Sequence, residues 1–279
     1  MREIIAAAPV GDDVNGDDPS VNELQRYAAE LLSKQAALYP DGTIRLDDLK
    51  DAIRSDDPHF PRTRLVALEN TQNICGGRVL PLEYIRSVEK FCQEHNLKLH
   101  IDGARLANAS VALQTPMKEL VKGADSVSLC LSKGLGAPVG SILAGSTEFI
   151  AEAKRMRKSL GGGMRQAGVI AAAGQFALEH QLERLAEDHA NAKALARGLA
   201  SVRGIAVDVD AVDTNIVFFG VNDQAKVSCQ TLVEKLKEDK GVLLGAGYWE
   251  GVKVRAVTNL HVTSDDIEYI VAAVREIMA

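Results

Sequence analysis

Short apolar runs of strand length alternate with stretches of helical period between residues 64 and 159. These elements are strands at 64–69, 98–102, 126–131 and 140–144, and helices at 81–96, 116–122 and 147–159. Parallel strands need a crossover connection, which is usually a helix, so this order predicts an α/β domain with a mainly parallel sheet.

The C-terminal third has a different order of elements. An Ala-rich stretch at 166–199 predicts one long helix. Beyond it the pattern predicts strands at 205–209, 215–219, near 241–244 and at 252–257, with helices at 223–239 and 264–278. This order is typical of a small α+β domain. We therefore predict an N-terminal helical segment at 1–39, a large domain at 40–180, and a small domain with its linking helix at 181–279.

Composition excludes several classes of function. The 279 residues carry a formal net charge of -6 with both signs spread along the chain, so no basic stripe is available to neutralise nucleic-acid phosphates. No apolar run approaches the roughly 20 residues that span a bilayer. The four cysteines are scattered, without zinc-ligand spacing. We expect a cytoplasmic protein, with the mitochondrion as the alternative, that binds a small molecule and no nucleic acid, membrane or metal.

Two predicted strands end in polar residues, at the edge where open α/β sheets collect functional side chains. Asp102 leaves one apolar strand, and Arg105 follows three residues later. Lys133 follows another strand, inside a Gly-rich loop. Such a lysine either points to solvent or has a pKa lowered for covalent chemistry. The alternatives to a catalytic role are a surface turn with an ion pair at Asp102 and a flexible or phosphate-binding loop at Lys133.

Two further arginines have surroundings typical of anion binding. Arg165 ends a run of three glycines just before the long predicted helix, although the glycines could equally form a hinge. Arg255 is isolated on an apolar strand, which favours a bidentate anion such as a carboxylate. The position of His189, at helical spacing on a charged face, predicts that its side chain is solvated. The residues that we predict to be ordinary surface charges are Arg62, Arg64, Arg157 and Lys158.

Six motifs occur in an order that resembles the low-specificity L-threonine aldolases. They are GDDV at 11–14, LENT at 68–71, GRVLP at 77–81, LHIDGAR at 99–105, CLSKGLG at 130–136 and GGGMRQ at 161–166. The resemblance implies a pyridoxal-phosphate (PLP) lyase of the aspartate-aminotransferase fold type (fold type I), whose large domain at 40–180 binds the cofactor. It also implies cleavage of L-threonine or L-allo-threonine to glycine and acetaldehyde, by a homodimer or homotetramer.

The resemblance also assigns roles to site residues. It implies that Lys133 carries the cofactor as a Schiff base, that Asp102 faces the pyridinium nitrogen and that Arg165 binds the phosphate. Arg105 and Arg255 are implied to bind the substrate carboxylate. Ser132, whose hydroxyl is next to Lys133, also suits the phosphate.

The chain departs from the family pattern in three ways. The family's Arg-Ser-Asp-Thr opening is absent, and Asn15 and Gln72 replace a Tyr and a His. The stretch 36–39 runs straight into 40–43, which predicts that a section of about two strand-helix units is missing, at about 30 residues each. The alternatives are therefore an impaired or inactive truncated variant, a non-catalytic remnant that folds or pairs with full-length subunits, or another PLP lyase or transaminase of the same fold.

Overall fold

The computed structural model of the protein describes residues 41–248 and 251–279. The first half of these residues contains both helices and strands. The predictions for 1–39, including the motif at 11–14 and Asn15, lie outside the described residues. The elements of this half are α1 (Leu46–Asp51), β1 (Leu65–Glu69), α2 (Leu82–Glu94), β2 (Lys98–Asp102), α3 (Leu106–Ala112), α4 (Met117–Leu120), β3 (Ser126–Cys130), β4 (Ser141–Gly145) and α5 (Thr147–Ser159).

A four-stranded sheet in the order β1-β2-β3-β4 holds this half together. The first three strands are parallel and β4 runs antiparallel to β3, so the predicted mainly parallel sheet is confirmed. Helix α2 places Ile85, Val88 and Cys92 on one face, at the spacing that aligns side chains along a helix. These side chains pack in one cluster with strand residues such as Leu68 and Leu99.

The β4 side of the first sheet is open to solvent. All five residues of β4 are exposed, including the large apolar side chains of Ile142 and Leu143. Helix α5 buries none of its residues. The apolar surface of this side is therefore uncovered in the part of the chain that the structure describes.

The second half contains an antiparallel sheet with helices on one face. Its elements are α6 (Gly168–His180), α7 (Leu185–Ala200), β5 (Ile205–Val207), β6 (Ile216–Val221), α8 (Cys229–Lys240), β7 (Gly245–Tyr248), β8 (Lys253–Val257) and α9 (Ser264–Met278). The strand order is β5-β6-β8-β7. Leu199 of α7, Phe219 of β6 and Val274 of α9 lie in one buried cluster. Thr263 and Asp266 form a capping box that begins α9 where the sequence predicts it.

The single long helix predicted at 166–199 is wrong, because α6 ends at His180 and α7 begins at Leu185. The break lets Leu182 and Leu185 pack against Leu131 and Leu135 of the loop after β3. Tertiary packing thus overrides the helical propensity of the Ala-rich stretch. The boundary predicted at 180 falls at this break, and the division into two domains there stays a prediction.

Three smaller differences have local causes. Helix α3 was not predicted, because residues 106–110 are all buried and so show no amphipathic period. Helix α8 begins only at Cys229, where the Ser228 hydroxyl accepts a hydrogen bond from the Thr231 N–H. Strand β7 begins at Gly245 rather than near 241, since Gly241 ends α8 in the left-handed conformation.

Candidate active site

The carboxyl ends of β1, β2 and β3 lie side by side at one edge of the first sheet. Glu69 is the register partner of Asp102, which in turn pairs with Ser128. One Asp102 carboxylate oxygen accepts hydrogen bonds from the Ala104 N–H at 3.0 Å and from the Ser128 hydroxyl at 3.5 Å. The rest of this carboxylate faces solvent. It is free to bind a ligand group that carries a proton.

Lys133 lies in a tight loop that begins one residue after β3. The Gly136 N–H donates to the Lys133 carbonyl at 2.8 Å, and the Ala137 N–H donates to the Leu131 carbonyl at 2.9 Å. Gly136 has a φ of +73°, which a side chain would disfavour. Lys133 as a whole is exposed, but partial burial of its amine and the charge of Arg105 lower the pKa of that amine. A larger fraction of this amine is therefore neutral, and nucleophilic, at a given pH than for an ordinary lysine.

Arg105 and Arg255 bring two positive charges to the same site. Burial, and next the charge of Arg255, lower the pKa of Arg105. Arg255 donates from Nη2 to the Asn73 side-chain oxygen at 2.8 Å, and its guanidinium carbon is 5.8 Å from the centre of the Tyr248 ring. Its buried Nε makes no hydrogen bond with any described residue. Two cations whose charges interact, and a buried N–H without an acceptor among the described residues, are what a carboxylate ligand would satisfy.

Glu69 is a further site residue, which appears in the sequence only as part of the LENT motif at 68–71. Its carboxylate accepts hydrogen bonds from Gln72 Nε2 at 3.0 Å and from the Asn73 N–H at 3.1 Å. Burial, and to a lesser extent the charge of Asp102, raise the pKa of Glu69. Glu69 ends its strand just as Asp102 does, and the parallel register places both at one edge. That shared position was the available signal.

Gln72 stands where the family pattern has a histidine, and both ends of its amide are occupied. While Nε2 donates to Glu69, the side-chain oxygen accepts from the Cys75 N–H at 2.7 Å. Gln72 is almost fully buried. It therefore holds the loop after β1 in place, and unlike a histidine it cannot exchange a proton near neutral pH.

The two residues predicted to bind phosphate differ in placement. The exposed Ser132 lies next to Lys133, and its hydroxyl is 3.5 Å from the Cys130 sulfur. Arg165 is exposed and makes no hydrogen bond or ion pair within residues 41–248 and 251–279. The structure thus groups Ser132 with Lys133, whereas no described contact joins Arg165 to the other predicted site residues.

The prediction of a solvated His189 is wrong. Its side chain is half-buried, and its Nε2 is 3.1 Å from Asn108 Nδ2. Burial lowers the pKa of this imidazole. The face that looks charged in sequence turns inward, because Asp188 beside it is only 1% exposed.

Comparison with known proteins places the chain in a family. The family model described as "Beta-eliminating lyase" matches residues 39–223. The low specificity L-threonine aldolase of Escherichia coli O157:H7 is 40% identical over 100% of this chain and 95% of its own length. The probable low-specificity L-threonine aldolase 2 of Arabidopsis thaliana is 38% identical over 99% of this chain and 93% of its own. The chain belongs to the low-specificity L-threonine aldolase family.

The solved structures agree on the fold. Leishmania major threonine aldolase matches with a TM-score of 0.71 and 21% identity, covering 88% of this chain and 70% of that one. The fold-type-I prediction is therefore confirmed. No helix within the described residues is long and apolar enough to cross a membrane.

The alignments also bear on the missing section. The alignment with the Arabidopsis aldolase runs over 332 positions, whereas this chain has 279 residues, so at least 53 positions of that relative face a gap. The family model begins its match at residue 39, one residue before the start of the stretch 40–43 at which the sequence predicts the missing section.

The raised pKa of Glu69 predicts a pH-dependent contribution to stability. The folded state binds the Glu69 proton more tightly than the unfolded chain, in which a glutamate has a pKa of about 4.3. This contribution is full below the unfolded pKa and is lost as the pH rises through the folded pKa. The difference in free energy of unfolding between the wild type and Glu69→Gln should therefore fall as the pH rises from about 3 to 8.

Denaturant unfolding at a series of pH values measures this difference. Glu83→Gln, which changes an exposed carboxylate on α2, is the matched control and should show no such trend. A wild-type minus Glu69→Gln difference that is constant with pH would contradict the burial of this carboxyl group.

Proposed function

We propose that the chain cleaves L-threonine or L-allo-threonine to glycine and acetaldehyde, with pyridoxal phosphate as its cofactor. The observation that carries the proposal is a lysine of lowered pKa beside an exposed carboxylate on the next strand, with two arginines facing the same site. The names of the curated relatives support the same reaction. A cytoplasmic location and assembly as a homodimer or homotetramer are part of the proposal.

The residues present fit this cofactor at its reactive end. An aldehyde needs a neutral amine, which the lowered pKa of Lys133 favours. A pyridine nitrogen needs a carboxylate, and Asp102 has an exposed one. A substrate carboxylate needs cations and N–H donors, and the buried Nε of Arg255 still lacks an acceptor among the described residues.

Each residue then has one task. Lys133 would hold the aldehyde carbon of the cofactor through Nζ, and Asp102 would keep the proton on its ring nitrogen. When bound, pyridoxal phosphate supplies an electron sink for the bond between Cα and Cβ of the substrate. Arg105 and Arg255 would orient the substrate through its carboxylate, which fixes the bond to be broken relative to the ring. Ser132 and Arg165 would bind the phosphate.

A second candidate is an impaired family member, and the gaps in the alignments favour it. The cofactor's phosphate carries about two negative charges and normally binds to several donors, many of them backbone N–H groups at a helix N-terminus. The donors proposed here are Ser132, the exposed Arg165 and local backbone groups. At least 53 positions of a relative have no counterpart that could supply more.

Borohydride trapping tests the role of Lys133. With pyridoxal phosphate added, reduction fixes the cofactor to the amine that holds it, and peptide mapping locates the label. We expect the label on Lys133, because its amine has a lowered pKa and lies beside Asp102. The exposed Lys154 on α5 is the internal control and should stay unlabelled. A label on another lysine, with none on Lys133, would reject the assignment.

Asp102→Asn tests the role of the carboxylate. The amide is nearly isosteric and can still accept the hydrogen bonds from Ala104 and Ser128, so the free energy of unfolding should change by less than about 0.5 kcal/mol. Acetaldehyde release from L-threonine should fall by roughly 10²–10³-fold, the scale of one charged contact at a reacting centre. Asp51→Asn, at an exposed site on α1, is the control. Equal turnover in wild type and Asp102→Asn would refute the role.

Inserting the family's missing section between Tyr39 and Pro40 separates the two candidates. We expect the restored chain to bind pyridoxal phosphate more tightly and to release acetaldehyde faster from L-allo-threonine, since the added segment supplies phosphate donors. The visible absorption of the bound cofactor and aldehyde release measure the two effects. If the present chain is soluble, yellow and equally fast, the second candidate is wrong.

A further inference from the structure

A buried ion pair lies at the start of α7, behind the loop that carries Lys133. Arg184 Nη1 and Nη2 donate to the two carboxylate oxygens of Asp188 at 2.8 and 3.0 Å. The side chain of Asp188 is 1% exposed and that of Arg184 19%. Taking two charges out of water is costly, and a buried ion pair is often no more stable than apolar residues of the same volume. A contribution to stability is therefore not enough to explain why this ion pair is buried here.

Arg184 has further contacts, one of which leads to the site. Its Nη2 also donates to the Gly134 carbonyl at 3.2 Å, and its Nε donates to the Gln181 side-chain oxygen at 3.0 Å. Gly134 directly follows Lys133. The fork of the guanidinium thus links the backbone of the lysine loop to a carboxylate one helical turn away.

The lysine loop can approach α7 only because residue 134 is a glycine. A Cβ at Gly134 would lie 2.7 Å from Leu185 Cδ2 and 3.5 Å from the Asn108 side-chain oxygen. Leu185 is fully buried, so it has little room to move. The loop therefore rests on Leu185 and is bonded to Arg184, two neighbouring residues at the start of one helix.

Asp188 is fixed from its other side by the second sheet. The Thr258 hydroxyl donates to the Asp188 carbonyl at 2.6 Å, and Asn215 Nδ2 donates to the Thr258 carbonyl at 2.9 Å. Thr258 follows the last residue of β8, the strand that carries Arg255. One turn of α7 is thus anchored to the arginine strand and holds the lysine loop.

We propose that Arg184 is a positioning residue for Lys133, holding the loop through the Gly134 carbonyl while Asp188 fixes the guanidinium. The inference rests on the proposed function of Lys133. Arginine is required because one planar group must satisfy two carboxylate oxygens and a carbonyl together. A lysine at 184 keeps the ion pair with Asp188, but a single ammonium cannot also reach Gly134 in the same geometry. Without that bond the loop moves away from α7, and the Lys133 amine becomes more solvated.

Competitive labelling of lysines with acetic anhydride, read by peptide mass spectrometry, tests the inference without cofactor or turnover. The groups that face the Lys133 amine are Glu69, Asp102, Arg105 and Cys130, and the variants leave all four unchanged. We expect Arg184→Lys to slow labelling of Lys133 at pH 8 by about threefold or more relative to Lys154, since an amine whose pKa rises by about 0.5 is neutral about three times less often. The labelling midpoint across pH should rise with it.

Three further variants separate positioning from stability. Gly134→Ala should slow labelling of Lys133 in the same way without removing a charge, because the new methyl group pushes the loop off Leu185. Asp188→Asn should lower the free energy of unfolding yet slow Lys133 labelling less than Arg184→Lys does, because the amide oxygen still fixes the guanidinium through one hydrogen bond and Nη2 still reaches Gly134. Arg197→Lys, on an exposed site of α7, should change neither quantity.

Two results would overturn the inference. Wild-type labelling of Lys133 in both Arg184→Lys and Gly134→Ala would show that the loop keeps its place without this contact. A parallel change in Lys154 would show general loosening, and hence a purely structural role for Arg184. Borohydride trapping in the wild type reports on the proposed function separately, since it asks only whether Lys133 holds the cofactor.

Discussion

The parallel register of β1, β2 and β3 is the constraint on which the candidate site depends. Because these strands run in the same direction, their carboxyl ends meet at one edge, and Glu69, Asp102 and the lysine loop meet there with them. A shift of one residue in the register of β2 would bring Asp102 onto the face that packs against α2 and move Ile101 to the opposite face. The buried side chains of Leu99 and Ile101 prevent this shift, since both must face α2. Core packing therefore sets the geometry of the polar groups.

Electrostatic balance is the second condition of the site. Two carboxylates and three cations share a small region, and their mutual effects differ with burial. Asp102 is exposed, whereas burial raises the pKa of Glu69 and lowers that of Arg105. The loop after β1 joins the two sheets, because Glu69 holds the Asn73 backbone while the Asn73 side chain holds Arg255. Glu69 is thus connected through Asn73 to the arginine that is proposed to bind substrate.

The sequence pattern correctly predicted the elements whose ends are determined by residues close by in the chain, such as N-caps. The strand 98–102 and the helices 147–159 and 264–278 match the structure to the residue, and the two helices carry side-chain N-caps at Ser146 and Thr263. The pattern failed where distant contacts decide. The break between α6 and α7 depends on leucines that pack against the loop after β3, and the inward turn of His189 depends on Asn108.

The same distinction applies to the site. Asp102 and Lys133 could be predicted, because each stands next to an apolar strand and their motifs resemble a known family. Glu69 also ends a predicted strand, but its place in the site becomes evident only from the register between β1 and β2. Arg184 was beyond sequence reasoning for a further reason. Its contact with Gly134 spans 50 residues and exists only because the predicted long helix is interrupted.

The exposed strand β4 has a consequence for how this protein behaves in bulk. Natural edge strands are protected by charged residues, prolines or bulges, whereas Ser141–Gly145 has none of these and exposes Ile142 and Leu143. Such a strand offers main-chain donors and acceptors to any neighbouring molecule. Association through this strand would make the midpoint of a melting curve depend on protein concentration.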